Sequence, residues 1–329
     1  MTSRTHIRNV AIVGAAGNSG KYMTAELLAT GKHVVTAITR IDSKSKFPED
    51  VKVARVDYKN QASLGEALQG QDALVITINV FADQENQLKA LFEAAGHAGV
   101  EWILPNEWSP DNADEGLVRD IPIFQKNVAA RKLIEELGHS SYIGVVTGFW
   151  YEWSLAIGPA FGIDIDKREA TLFDDGETKI STSTWPQVGR AVAALLSLPV
   201  QAEEGAGACL ERFRNQMVYV KSFTVSQKEM LESVMRVTGT DEFDWHITKE
   251  SSRERYESGL KAMQEGDRSG FVRMMYTRVF FPDGSGDHES RRGVANQLLG
   301  LPEEGFDEAT RAAVRRTKEY DFGAEYVRK

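Results

Sequence analysis

The chain has 329 residues, 42% of them hydrophobic and 26% charged, and carries a formal net charge of −9 at pH 7. That balance belongs to an ordinary globular protein of one large domain and a smaller one, and its acidic excess argues against broad attraction to nucleic acid or an anionic membrane. Cys209 is the single cysteine, so no intrachain disulfide can form; with no signal-peptide pattern and no apolar run long enough to span a bilayer, the expected location is the cytoplasm.

The first 150 residues alternate between short apolar runs and helical patterns. NVAIVG (9–14) reads as a β-rich strand, and SGKYMTAELLATG follows with Met23, Leu27 and Leu28 at helical spacing and Gly31 as its stop. Strands are expected over 33–40 and 51–57. The continuous apolar run ALVITINV (73–80) fits a strand buried on both faces of a parallel sheet. A helix over 86–99 leads to a strand over 100–105, stopped by Pro105. A further helix, 125–138, ends at Gly138 before a strand over 141–148. Strands alternating with helices predict an α/β fold, a Rossmann-type doubly wound parallel sheet, within residues 1–154.

Residues 155–329 read as a smaller, less regular C-terminal domain on the substrate side of the cleft, with 185–235 packing back on the sheet. The stretch beginning FWYEW is aromatic and glycine-rich without sustained periodicity. An apolar helix is expected over 185–199, closed by Pro199. One strand is expected over 217–226 and a helix over 226–239. Charged helical sequence follows, with an extended run over 273–284.

The turn after the first strand carries chemistry. Gly14, Gly17 and Gly20 follow a G-x-x-G-x-x-G spacing at the opening of a helix. Gly14 allows a tight turn, Gly17 lets backbone approach a pyrophosphate, and Gly20 lets the helix pack closely on the sheet. Backbone N–H groups at the start of that helix, with Ala16, Asn18 and Ser19 in the turn, then form an anion cradle; Asn18 and Ser19 can also cap the helix. Twenty residues beyond Gly20, at the end of the second strand, stands Arg40, with Lys44 and Lys46 close behind. A carboxylate there would bond the ribose 2′-hydroxyl of NAD, whereas an arginine fork suits a 2′-phosphate, so NADP(H) is the expected cofactor. Asp42 is the competing feature, able to read an unphosphorylated ribose.

Taken together, VAIVGAAGNSG, the VDY that ends the third strand, VEWILPNEWSPD, FQKNVAARKLIEE, TGFWYEW and VGRAVAALLSLP resemble the isoflavone reductase-like and NmrA-like branch of the atypical short-chain dehydrogenases. The resemblance runs between residues 8 and 200. It implies that Lys126, in a frame with Ala129 and Leu133, is the active lysine, placed near the nicotinamide ribose to orient cofactor and substrate and to move a proton. Burial and the charge of oxidised nicotinamide would both favour its neutral form. It also implies an adenine contact from Asp57 with Tyr58 beside the ring. Asn79 and Phe81 would lie along the pyrophosphate or nicotinamide, and Pro105, Asn106 and Glu107 would form a loop beside the nicotinamide. Asn106 stands where the family usually has serine, and Trp108 where it has another aromatic. The Tyr-x-x-x-Lys pair of the mainstream short-chain dehydrogenases is absent: Val146, Leu155 and Phe223 stand four residues after Tyr142, Tyr151 and Tyr219.

Trp108, Trp150 and Tyr151 are expected to wall a flat apolar pocket for a small aromatic or conjugated ligand, leaving Trp153 to packing. No metal-binding histidine spacing and no G-x-S-x-G elbow occurs. The expected activity is NADPH-dependent reduction of a small secondary-metabolite-like substrate. The competing expectation is a non-catalytic protein that senses NADP(H), and a homodimer stays open in either case.

Overall fold

In the computed structural model, which describes residues 6–79, 84–202 and 207–319, the apolar runs of the first half become β1 (Asn9–Val13), β2 (Val34–Arg40), β3 (Lys52–Val56), β4 (Ala73–Ile76), β5 (Trp102–Leu104) and β6 (Ser141–Val146). Helices α1 (Gly20–Ala29), α2 (Gln61–Leu68), α3 (Gln84–Ala98), α4 (Glu115–Asp120) and α5 (Pro122–Leu137) are interspersed among them. Proline at the start of α5 and left-handed Gly138 at its end mark the two positions where each residue costs a helix least.

The second half begins with β7 (Phe149–Trp150), α6 (Tyr151–Ser154), α7 (Gly158–Phe161), β8 (Ile163–Asp164), β9 (Glu169–Phe173) and β10 (Lys179–Ser183). It continues through α8 (Trp185–Leu196), β11 (Gln216–Tyr219), β12 (Phe223–Ser226), α9 (Gln227–Thr238) and β13 (His246–Glu250). The last elements are α10 (Ser252–Gln264), α11 (Ser269–Arg278), α12 (His288–Arg292) and α13 (Phe306–Glu319).

Seven strands form one sheet in the order β11-β6-β5-β4-β1-β2-β3, with every neighbouring pair parallel. The order reverses between β1 and β4, and a crevice for ligand opens beyond the carboxyl ends of strands at such a point. Because side chains alternate across a strand, β1 feeds two cores at once. Val10 and Ile12 pack with Met23 and Leu27 of α1 and with Val188, Val192 and Leu196 of α8. Ala11 and Val13 pack with Leu64, Leu68, Leu91 and Ile134 of α2, α3 and α5. α8 approaches α1 so closely that a Cβ on Gly189 would stand 2.7 Å from the carbonyl oxygen of Tyr22.

A third core, holding Phe161, Phe173, Trp185, Met274 and Phe280, lies under two small sheets, β12-β10-β7 and β13-β9-β8, and helices α9, α10, α11 and α13. Three sequence expectations change here. The run 217–226 is two strands rather than one: β11 joins β6 in the main sheet, and β12 pairs antiparallel with β10. Between them the backbone N–H and C=O of Lys221 are both held by the Asn296 carboxamide, a long-range contact that no local pattern reveals. The run 273–284 opens not as an extended segment but within α11, which ends at Arg278. Gly270 seats α11 on α10, where a Cβ would lie 2.5 Å from the carbonyl of Gly259, so packing overrides the β-branched and aromatic content. β4 is also shorter than the apolar run that contains it, stopping at Ile76. Among the described residues no helix is long and apolar enough to cross a membrane.

Candidate cofactor and substrate site

The turn after β1 is glycine-rich for reasons internal to the chain. Gly14 has φ +85°, and a Cβ there would lie 2.0 Å from the carbonyl oxygen of Thr77. A Cβ on Gly20 would lie 2.1 Å from the carbonyl of Gly14, and the Gly17 N–H donates to that same carbonyl at 2.8 Å. The turn therefore folds back on itself beside the end of β4, leaving Ala16, Gly17 and Asn18 exposed at its crest. Ser19 departs from expectation. It is buried, its hydroxyl pairs with Thr77 Oγ1 at 3.1 Å, and it makes no capping hydrogen bond to α1.

At the ends of β2 and β3, Arg40, Asp57 and Tyr58 come together around a cavity of about 590 Å³, with Asn86 and Gln87 of α3 on its far wall. The two residues that competed in the sequence meet here: Arg40 Nε lies 3.6 Å from Asp42 Oδ1, on an exposed surface. Burial pushes the Tyr58 phenol up to about 12, with Arg40 pulling the other way. Asp57 Oδ1 accepts the Lys59 N–H at 3.0 Å, which leaves its carboxylate exposed at the rim.

Beyond β5, the loop that begins at Pro105 is stitched to its neighbours. The Asn106 carboxamide accepts from the Ile78 N–H at 3.1 Å and donates to the Ile78 carbonyl at 3.0 Å. The Trp108 indole N–H donates to the Ile76 carbonyl at 2.7 Å. These bonds tie the β4 and β5 exits together. Glu107 is fully buried, with Arg131 Nη1 at 2.5 Å from its Oε2. Arg131 also donates to the Asn112 side chain and carbonyl at 2.8 and 3.0 Å. Burial raises the Glu107 carboxyl to about 7, against the opposing pull of Arg131. Its second oxygen, Oε1, has no hydrogen-bond partner among the described residues.

Pro105, Asn106 and Lys126 line a groove of about 510 Å³ between α3 and α5, shared with Phe92 and Leu133. Lys126 itself is exposed on α5, not buried as expected. On the other side of Asn106 and Asn127 lies a second cavity, of about 140 Å³, walled by Trp108, Phe149, Trp150, Trp153, Phe271 and Tyr276. Phe149 stacks on Tyr276 with ring centroids 3.9 Å apart. Among the described residues that line this cavity none is charged.

The structure brings Trp108 and Trp150 to the cavity and corrects two aromatic assignments. Tyr151 does not line it: the ring is wholly buried, its hydroxyl pairs with Thr310 Oγ1 at 2.7 Å, and burial pushes its phenol well up. It opens helix α6, so its side chain faces α13. Trp153, two residues on, lines the cavity that Tyr151 was expected to face. Asn79 is exposed beyond β4, and Phe81 lies outside the described residues. Sequence reasoning missed Arg131, which looks like any helix-surface cation, Phe271, which lies in charged helical sequence, and Tyr276, which falls in the run expected to be extended. Among the described residues no group of three or more His, Cys, Asp or Glu side chains could hold a metal ion.

A model of the NmrA-like family matches residues 7–194. An oxidoreductase of Aspergillus flavus, aprR, is 28% identical over 306 residues, covering 91% of this chain and 96% of that protein. Among solved structures, the NADPH complex of an NADPH-dependent quinone oxidoreductase from Escherichia coli superposes with a TM-score of 0.67 at 19% identity, covering 92% and 98% of the two chains. An isoflavone reductase superposes with a TM-score of 0.72 at 18% identity, again covering 92% and 98%.

Proposed function

The chain belongs to the NmrA-like family, and on that premise we propose that it is an NADPH-dependent oxidoreductase that reduces small, uncharged aromatic or conjugated molecules. The observation that carries this reading is the aromatic cavity, which collects residues from the exits of β4, β5 and β6 and from α5 and α11 without a charged side chain among them. A carboxylate or phosphate entering it would lose its hydration with no ion to replace it, whereas a flat neutral ring would lose little. The names of its relatives agree: one is an oxidoreductase, and another is an NADPH-dependent quinone oxidoreductase bound to NADPH.

The residues fit the dinucleotide. A Cβ at Gly14 or Gly20 would close the turn that backbone N–H groups need in order to meet a pyrophosphate. Arg40, Asp57 and Tyr58 surround the cavity at the adenosine end, and Arg40 supplies the fork for a 2′-phosphate. Bound there, the nicotinamide would supply a hydride. Lys126 would hold the complementing proton, so that the substrate would gain one hydride and one proton, and Pro105 and Asn106, which line the same groove as Lys126, would wall the nicotinamide side of the site. The aromatic walls exclude water from the reacting carbon.

A second reading draws on one observation: Lys126 lines the α3–α5 groove and is not among the residues of the aromatic cavity. That separation suits a protein that senses NADP(H) without turnover. The deciding experiment follows the loss of NADPH absorbance with a panel of quinones, enones and aryl ketones. Turnover that Lys126→Ala reduces supports the reductase. Tight NADPH binding with no turnover across the panel supports the sensor.

A further inference from the structure

The polar groups that line the aromatic cavity are for the most part already engaged. Thr77 pairs with Ser19, and Tyr276 with Ser154 at 2.9 Å. Both ends of the Asn106 carboxamide are held by Ile78, and the Trp108 indole by Ile76. Ser109 donates to the Pro110 carbonyl at 3.0 Å. The Trp150 indole nitrogen has no partner among the described residues, but it is sealed from solvent and so from a ligand in the cavity.

Asn127 differs from all of these. It is half-buried, it lines both the aromatic cavity and the α3–α5 groove, and its carboxamide makes no hydrogen bond to the described chain. Its neighbour on α5, Lys126, lines the groove alone, because consecutive helical residues point in directions about 100° apart. Asn127 therefore offers two N–H donors and one acceptor at a chamber whose other described polar groups are engaged or sealed and whose described lining is uncharged, one residue from the lysine to which we assign the proton.

We propose that Asn127 sets specificity by donating its Nδ2–H to a carbonyl oxygen of the substrate, and that the substrate class is a neutral, planar aromatic carbonyl compound such as a quinone or aryl enone. This rests on the reductase reading for its biological meaning but not for its test. A carbonyl oxygen matches the donor, and an aromatic plane matches the walls. Buried without such an acceptor, the amide would lose its water and gain nothing, so a hydrocarbon of the same shape gets no benefit from Asn127.

Trp108, Trp150 and Trp153 report occupancy through quenching of their fluorescence, which makes binding measurable without turnover. The experiment titrates the full-length protein with 1,4-naphthoquinone and with naphthalene, in the wild type, Asn127→Leu and Asn127→Asp. Asn127→Leu is expected to raise the quinone Kd roughly tenfold, the loss of about 1.4 kcal/mol, while leaving naphthalene within about twofold. Asn127→Asp keeps the shape but replaces the donors with acceptors, and weakens the quinone at least as much. An unchanged Kd for NADPH in both variants shows that the fold is intact. Quinone and naphthalene shifting together in either variant, or quinone binding left as in the wild type, overturns the assignment. Quinone binding that needs Asn127 but never consumes NADPH would leave the assignment standing and remove the reductase reading instead.

Discussion

Replacing Glu107 by glutamine is predicted to flatten the dependence of stability on pH, and the size follows from the geometry. The Glu107 carboxyl is wholly buried, bonded to Arg131 on one oxygen and unpartnered on the other. Burial lifts it from its ordinary 4.5 to about 7. The folded state thus holds a proton at Glu107 that the unfolded chain has already released, and stability must fall with rising pH across that interval. The contribution is fully present below pH about 4.5 and is lost as pH rises through about 7. At roughly 1.4 kcal/mol per pH unit of separation, Glu107 accounts for a decline of about 3 kcal/mol. Glu152, also buried and also raised to about 7 by burial, adds a decline of the same sign and window. Glu107→Gln should therefore remove about half of the combined slope and keep a hydrogen-bond acceptor for Arg131. Urea unfolding at steps between pH 4.5 and 8 measures it. Parallel stability curves for Glu107→Gln and the wild type would show that the carboxyl is held ionised by Arg131 throughout, and would refute the argument.

Three further outcomes are expected. Arg40→Ala should raise the Kd of NADPH roughly tenfold or more while changing that of NADH little, since a charge-assisted contact to the 2′-phosphate is lost; equal effects in calorimetric titration would dismiss the contact. Lys126→Ala should lower kcat by about a hundredfold or more with a smaller effect on the KM for NADPH, as removal of a proton donor does; steady-state rates that match the wild type would remove its role. Gly14→Ala should cost about 2 kcal/mol or more, because its φ of +85° and the Thr77 carbonyl at 2.0 Å both oppose a side chain. Gly31→Ala, at φ +66° in open space, isolates the backbone contribution, so the gap between the two variants in thermal unfolding measures the clash.

Much of the sheet was legible in the residues because its signals are local. β-branched runs, helical spacing and Gly138 at the end of α5 are each decided within one element, and each appears in the structure within a few residues of its expected place. Where a segment's conformation depended on distant partners, the pattern misled. The strand break at Lys221 needs Asn296 from 75 residues away, and α11 needs the close fit of Gly270 on α10. The site divides along the same line. The Gly14–Gly17–Gly20 turn and Arg40 could be read from spacing, because a tight turn and a strand end impose their residue types locally.

The parallel sheet, the phosphate-type turn and the cationic strand end were thus written into the order of residues. Folding alone decided that Tyr151 would turn toward α13 while Trp153 faced the cavity, and that Arg131 would reach the buried Glu107. It also left Asn127, at a cavity walled by aromatic rings, with no hydrogen bond to the described residues. The physical reason is that backbone preferences act over a few residues, whereas which side chains share a buried space depends on how whole elements pack, and neighbours in that space are strangers in sequence.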